Sequence, residues 1–345
     1  MTLIRSILRP ADGTTLLVPT SGMPASLTRA KYGRVVVNPY ATAGWDNQHK
    51  ANLQGHTTAS DGEHTPAQYI DHYHGAGYTI LSITDHSSQG GTPYPTWPWT
   101  DYDRDPTALG MLAVPGNEMS QTEEHSGAFW TLISGQAAST AIGLANVAAA
   151  GGTFMLFHPG RASTMTAAAI AGYARDYAPE TLFGLEVYNQ GNRYPNDRAL
   201  WDAANVLLTD DGITLWGYSG DDTHVTAHLF RNYNFFLLPE LTEAAMRAAC
   251  ISGASYFCYE PGGSGNALAP RITNIELSEQ NSRITVASPD AGAIVWRSNA
   301  GQVGTGATLN VRHLPGTPLF VRAELTNASG RTYTQPFRLA VGDGP

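Results

Sequence analysis

Imidazoles and carboxylates recur in this chain where β-strands should end. His56 closes an apolar run that begins near Ala51, and Asp61 sits in the Ser60-Asp61-Gly62 turn behind it. Asp85 and His86 close the next run. Glu118 follows the third in Pro115-Gly116-Asn117-Glu118, and His125 comes soon after in Glu124-His125-Ser126-Gly127. His158 ends the run from Thr153, Glu186 lies within Leu185-Glu186-Val187-Tyr188-Asn189, and Asp222 and His224 close the stretch from Trp216. A lone histidine is most often an ordinary core or surface residue. Five of them at successive strand ends, with acids at matching places, point to metal ligation. Imidazole with carboxylate suits Zn, Mn or Fe(II). One carboxylate can bridge two such ions about 3.5–4 Å apart, an arrangement suited to hydrolysis of phosphate esters.

The elements that would position these residues alternate. Strand-like runs cover 51–57, 78–84, 111–115, 129–134, 153–158, 182–188, 213–219 and 255–259. Helical patterns cover 66–75, 140–150, 165–177, 197–207 and 240–252. Such alternation predicts a parallel sheet with helical crossovers, open or closed into a barrel, whose site lies at the carboxyl ends of the strands. After residues 261–270, which read as a Gly- and Pro-rich linker, the rhythm changes. Short runs at 272–277, 283–287, 293–297, 308–311, 319–325 and 332–339 predict a small antiparallel β-sandwich. The division expected is an N-terminal extension (1–37), a metallohydrolase barrel (38–262) and a sandwich (270–345).

Taken together the motifs resemble the PHP (polymerase and histidinol phosphatase) family, whose first motif reads D-L-H-x-H-T-x-x-S-D-G and is followed by T-D-H. Here these positions are Asn52-Leu53-Gln54-Gly55-His56-Thr57, Ser60-Asp61-Gly62 and Thr84-Asp85-His86. Pro115-Gly116-Asn117-Glu118, His125, His158-Pro159-Gly160-Arg161 and Asp222-Thr223-His224 are similar to its later motifs. The resemblance covers roughly residues 38–260. It implies an α/β fold with a distorted, TIM-like (β/α)7 barrel holding two to three divalent metals; the immunoglobulin-like sandwich expected after it lies outside the resemblance. It implies one metal on Gln54, His56, Glu118 and Asp222, a second on Glu118, His125 and His158, and a third on Asp61, His86 and His224. His56, Glu118, Asp222 and His224 would be catalytic, with a metal-bridged hydroxide attacking a phosphomonoester or phosphodiester. Gln54 is a departure, since the family has His there and an amide oxygen is a weaker ligand for Zn-like ions.

Substrate contacts are expected from two sources. The Pro- and aromatic-rich stretch from Gly90 to Pro106 follows the Asp85-His86 strand end, and Tyr94, Trp97, Trp99 and Tyr102 could stack a sugar or base or simply pack the loop. Arg161 and Arg193 could grip phosphate bidentately. Arg198 reads better as part of a surface or helix-capping ion pair, and Glu186 as a support behind the ligands, a substrate contact, or a residue buried beside an arginine. His49, His64, His72, His74, His228 and His313 read as structural.

Composition narrows the partners. A net charge of −9 with no basic block argues against a nucleic-acid polymer. The resemblance implies a small phosphorylated substrate, and the sandwich, by analogy with the modules of hydrolases acting on polymers, allows a phosphodiester-linked glycan. No apolar run reaches the roughly 18 residues needed to span a bilayer, and no signal peptide is evident, so a cytoplasmic location is the default. Cys250 and Cys258 make no thiolate motif and read as small apolar residues rather than a disulfide. The rival readings are an amide or ester hydrolase using the same metals, and a degenerate barrel that binds without turnover.

Overall fold

The computed structural model describes residues 34–86, 96–121, 124–131, 138–278 and 282–340. The expected N-terminal extension therefore lies almost wholly outside the described residues, as does Tyr94. The chain is a mixed α/β protein built on one large sheet.

The strands are β1 (Arg34–Val37), β2 (Gln48–Asn52), β3 (Ile80–Ile83), β4 (Leu112–Gln121), β5 (Glu124–Phe129), β6 (Thr153–Phe157), β7 (Leu182–Asn189), β8 (Trp216–Gly220), β9 (Asn232–Leu237) and β10 (Ser255–Tyr259). Helices α1 (Pro66–Gly75), α2 (Pro106–Leu109), α3 (Thr140–Ala149), α4 (Ala167–Tyr177), α5 (Asp197–Leu208) and α6 (Glu243–Ser252) lie between them. The C-terminal strands are β11 (Asn274–Ser278), β12 (Arg283–Ala287), β13 (Ala293–Ser298), β14 (Gly301–Thr305), β15 (Thr308–Asn310), β16 (Phe320–Thr326), β17 (Arg331–Thr334) and β18 (Phe337–Ala340).

Local chemistry explains the helix starts. Thr65 and Gln68 form a reciprocal capping box with Pro66 in the first turn, so α1 begins where the sequence places it. Ser139, Thr166 and Thr242 each cap their helix by accepting a backbone N–H.

Three expectations change. First, the sheet is not a closed parallel barrel. Its order is β1-β18-β16-β17-β10-β9-β2-β3-β4-β5-β6-β7-β8, and β8 forms no ladder with β9 or β2. The β2-β3-β4 and β6-β7-β8 pairings are parallel, but β4-β5-β6 and β2-β9-β10 are antiparallel. The run expected at 129–134 is displaced, because β5 ends at Phe129. β9 was not anticipated, since all six of its residues are buried and it shows no alternation.

Second, the C-terminal strands do not stand apart. β17 pairs with β10, and β18 pairs with β1, so the large sheet runs on into the C-terminal region. The small sheet β11-β12-β15 covers it, and one apolar cluster contains Tyr73 and Tyr78 together with Ile284, Trp296 and Leu325. The run expected at 332–339 is two strands, parted at Gln335 and Pro336.

Third, residues 261–270 are strapped down. Glu260 accepts from the Leu268 N–H at 2.7 Å and from Ser264, and Lys50 Nζ donates to Gly265 O at 2.8 Å.

Side chains seal the gap between β8 and its neighbours. Asn234 on β9 accepts from Ser219 N at 3.0 Å and donates to Ser219 O at 2.8 Å. Gln335 does the same for Gly217, at 2.8 and 2.7 Å. Asn52 accepts from Asp221 N at 3.1 Å, and His56 N donates to Thr223 O at 2.8 Å. These bonds bring the ends of β2 and β8 side by side.

Candidate metal centre

β2 delivers His56 one turn past its end. Gly55 must be glycine, because a Cβ there would collide with the Tyr69 hydroxyl of α1. The turn that carries Asp61 is organised by buried Asp85, which accepts from Thr57 N at 2.7 Å, from Thr57 Oγ1 at 2.6 Å, and from Ser60 Oγ. Asp85 thus shapes the loop, while His86 beside it faces the cluster. Glu118 comes from the middle of β4, His125 from β5, and His158 from the end of β6. Asp222 and His224 follow β8. His158 and Asp222 have positive φ, 28° and 47°, backbone strain of a kind concentrated at functional sites.

The ligating atoms expected from sequence converge in three overlapping groups: His56, Asp61, His86 and His224; Glu118, His125 and His158; and His56, Glu118 and Asp222. His56 Nε2 lies 2.9 Å from Glu118 Oε2 and 3.2 Å from Asp222 Oδ1. Asp61 lies 3.6 Å from His56 Nδ1, 3.7 Å from His86 Nε2 and 3.5 Å from His224 Nε2. Glu118 Oε1 lies 2.5 Å from His125 Nδ1 and 3.5 Å from His158 Nε2. Ligands at about 2.0–2.1 Å around a tetrahedral ion sit about 3.3 Å apart, so most of these spacings match those of a shared ion. Glu118 turns one oxygen to each of two groups, as a bridging carboxylate would.

Hydrogen bonding gives an independent test of fit. Both ring nitrogens of His56 and Nδ1 of His158 are buried without a hydrogen-bond partner. The close carboxylates approach His56 off the line an N–H···O bond requires. Buried polar atoms are otherwise almost always satisfied, and an ion would satisfy these. The donor set, imidazole and carboxylate without thiolate, fits Zn, Mn or Fe. Cys250 and Cys258 are free and buried, and burial pushes the Cys258 thiol up to about 12.

Electrostatics follow from burial and pairing. Burial alone would raise Glu118, but the neighbouring imidazoles of His125, His158 and His56 outweigh it and hold the carboxyl well below its usual range. Burial likewise acts against ionised Asp222, yet His56 holds it at about 2. Burial would depress His56, and the Asp222 and Glu118 carboxylates instead raise it well above the usual imidazole value. Burial lowers His86.

Gln54 reaches the cluster with its amide turned. Its Nε2 faces Glu118 Oε2 at 3.4 Å, and its Oε1 accepts from Asn189 Nδ2 at 2.8 Å. Asn189 also donates to Glu186 Oε2 at 2.9 Å, which in turn accepts from His158 N at 2.9 Å. Glu186 is therefore buried behind the ligands, where it accepts from Asn189 and from the backbone of His158. Burial, then the Asp222 charge, raises its carboxyl well above the ordinary value.

Of the expected substrate contacts, Arg161 lies at the cluster, its Nη1 2.7 Å from His125 Nε2. Arg193 is exposed on the loop after β7 and donates to Gln190 Oε1 at 2.7 Å. Trp97 is exposed, whereas Trp99 is buried in the core and cannot stack a ligand. Arg198 donates to Asn192 and lies over Tyr188, the surface role expected of it. His228 supports His224 by accepting its backbone N–H at 3.2 Å. Asp197 holds the turn after His158 by accepting from Gly160 N at 2.5 Å, and burial raises its carboxyl to about 7. Sequence reasoning missed Asn189 and Gln190. Both adjoin the Glu186 motif, and the strand-end rule could have found them.

No family model matches the sequence, and no curated protein matches it. Solved structures do. One is a two-domain protein from Bacteroides vulgatus containing a predicted PHP-like metal-dependent phosphoesterase, at 16% identity over 89% of this chain and 90% of that one, with a TM-score of 0.49. An amidohydrolase from Chromobacterium violaceum with bound sulfate matches at 17% identity over 51% and 88%, with a TM-score of 0.38. The lesion-specific endonuclease Q of Pyrococcus furiosus matches at 14% identity over 60% and 56%, also with a TM-score of 0.38. Among the described residues, no helix is long and apolar enough to cross a membrane.

Proposed function

We propose that this chain is a metal-dependent phosphoesterase of the PHP type, hydrolysing a phosphomonoester or phosphodiester. The observation that carries the reading is the sharing of Glu118 and His56 between neighbouring ligand groups. In it His56, Glu118 and Asp222 would hold one ion, Glu118, His125 and His158 a second, and Asp61, His86 and His224 a third. Bound divalent metals there supply a water of lowered pKa and stabilise charge on phosphoryl oxygens.

The chain's own residues do the rest. Gln54 donates to Glu118 and so fixes the bridging carboxylate instead of serving as a full ligand. Asn189 and Glu186 hold Gln54 in turn. Arg161 and Arg193 stand at the rim, where a guanidinium can pair two oxygens of a phosphoryl group, and Trp97 offers an exposed face. In the same reading the α/β part is a PHP-type barrel sealed by side chains, and the C-terminal layers are an immunoglobulin-like sandwich fused to it. The substrate in this reading is a small phosphorylated compound or a phosphodiester-linked glycan, and a net charge of −9 disfavours a nucleic-acid polymer.

Metal analysis on protein purified without chelator, with chromogenic phosphomonoesters, phosphodiesters and carboxylic esters assayed on the same sample, tests this. Two to three metals per chain and turnover of a phosphate ester are expected, one ion for each group of ligands. His158→Ala or Asp222→Ala should lower turnover by more than about 100-fold, since even outer partners of metal ligands are worth about 10–100-fold. Unchanged rates in a folded variant, or turnover confined to carboxylic esters, would sink the reading.

A further inference from the structure

Arg231 stands immediately before β9, and nothing in its local sequence marks it. Its aliphatic stem crosses Gly263 and its guanidinium lies against Gly191, so closely that a Cβ at either glycine would overlap it. Both glycines have positive φ, 55° and 77°, so each backbone turn is of a kind that leaves room for the arginine. Nε is buried without a hydrogen-bond partner, and the guanidinium makes no ion pair among the described residues.

Among the described residues, Arg231 and Arg338 each keep a buried guanidinium nitrogen without a partner, whereas five other arginines are matched. Arg104, Arg175, Arg247, Arg297 and Arg322 each pair with a carboxylate. With 29 acidic residues against 20 basic ones, acidic partners are plentiful. A partly buried guanidinium without one is costly to keep unless an anion joins it.

Its position says which anion. Gln190 Nε2 donates to the carbonyl of Asp222 at 3.1 Å, the next residue is the Gly191 that carries Arg231, and Gly191 is tied to Asn232 through N–H and C=O. Arg193 Nη1 donates to Gln190 Oε1 from the same loop. The backbone of Asp222 is thus linked through two loop residues to a guanidinium that has no counter-ion among the described residues.

We propose that Arg231 forms a second anion subsite next to the metal centre, so that the substrate carries two anionic groups: the phosphoryl group attacked at the metals, and a second phosphate or carboxylate held at Arg231. This rests on the phosphoesterase reading and names its substrate class. An anion there restores the pairing Arg231 lacks, and the fixed loop sets the spacing between the two groups.

Calorimetric titration of the full metal-loaded chain tests this with non-hydrolysable probes: propylphosphonate, against methane-, propane- and pentane-bisphosphonate. Wild type should bind one bisphosphonate at least about tenfold more tightly than propylphosphonate, the size expected of one charge-assisted pair. Arg231→Met keeps the packed stem and should bring that ratio to about one while leaving propylphosphonate affinity in place. Arg231→Lys should retain part of the ratio. Equal binding of all probes by wild type overturns the proposal, whatever the variants do. So does an Arg231→Met ratio equal to that of wild type, or an equal loss for both kinds of probe. Failure of the phosphoesterase reading looks different: chelation would leave propylphosphonate binding unchanged and no phosphate ester would turn over, while the dependence on Arg231 would still be read from the ratios.

Discussion

The two sides of β8 treat buried polar groups in opposite ways. Along its edge, where β8 meets β9 and the C-terminal strands, side-chain amides take the place of the missing ladder. Asn234 and Gln335 each satisfy both the N–H and the C=O of one β8 residue, and Asn205 does so for Leu215 just before it. Buried Arg322 in the same region is paired with Asp202 and Glu324. Past its carboxyl end, His56 keeps two ring nitrogens and His158 one without partners, and Arg231 nearby keeps its Nε. An unsatisfied buried polar atom costs about 1–3 kcal/mol, so a cluster of them in one place is a site prepared for something else to fill. The seam is complete in itself for most of its groups, although Arg338 Nη1 is also buried without a partner there, and burial lowers that guanidinium to about 10.

If the comparison is right, damage to the seam should unfold the protein, and damage to the strand ends should only empty it. The largest effect should come from deleting residues 270–345. That exposes the edge of β10 and opens the cluster shared by Tyr73 and Trp296, so insoluble product is expected. A soluble, metal-loaded fragment would show instead that the C-terminal strands are an accessory.

Asn234→Ala should follow, losing about 2–4 kcal/mol in denaturant unfolding because it strands both Ser219 groups. Metal content per folded molecule should stay at the wild-type level. Loss of metal without loss of stability would invert the roles assigned to the two regions.

Lys50 provides a pH-dependent measure of the seam side. It lies over Tyr78 and Tyr233, and burial lowers its ammonium to about 8 from 10.5, against the opposing pull of Asp221 and Glu260. Between those values the unfolded chain binds more protons than the folded one, so stability should rise as pH climbs from 8 to 10.5. The rise from this group is at most about 3 kcal/mol. It should be absent in Lys50→Met; an identical pH profile for the two proteins would show that Lys50 does not titrate in that window.

The smallest effect is the most informative about the strand ends. Gln54→His should add metal at the His56, Glu118 and Asp222 group, read by metal analysis, at the cost of the bond from Asn189. No change in metal content would mean that position 54 only orients Glu118.

Much of the site was legible because its signals are local. A strand's carboxyl end is marked by where an apolar run stops, and His56, His86, His158 and Asp222 stand there whatever the remote contacts are. The capping box at Thr65 and the limits of α1, β10 and β12 are equally short-range. β9 escaped because a strand buried on both faces has no alternation to read. Gln54 was legible as a departure, but not the direction of its amide, which Asn189 sets from far along the chain.

Sequence by itself therefore determined which residues could bind metal and in what order the strands would present them. Tertiary structure alone decided that the sheet stays open and runs into the C-terminal strands, that the Gln54 amide faces Glu118, and that Arg231 lies against Gly191 with no counter-ion among the described residues. The reason is range. Caps, periods and strand ends are set by neighbours within a few residues, whereas the Asp221–Asn52 and Gly217–Gln335 bonds join positions 169 and 118 residues apart.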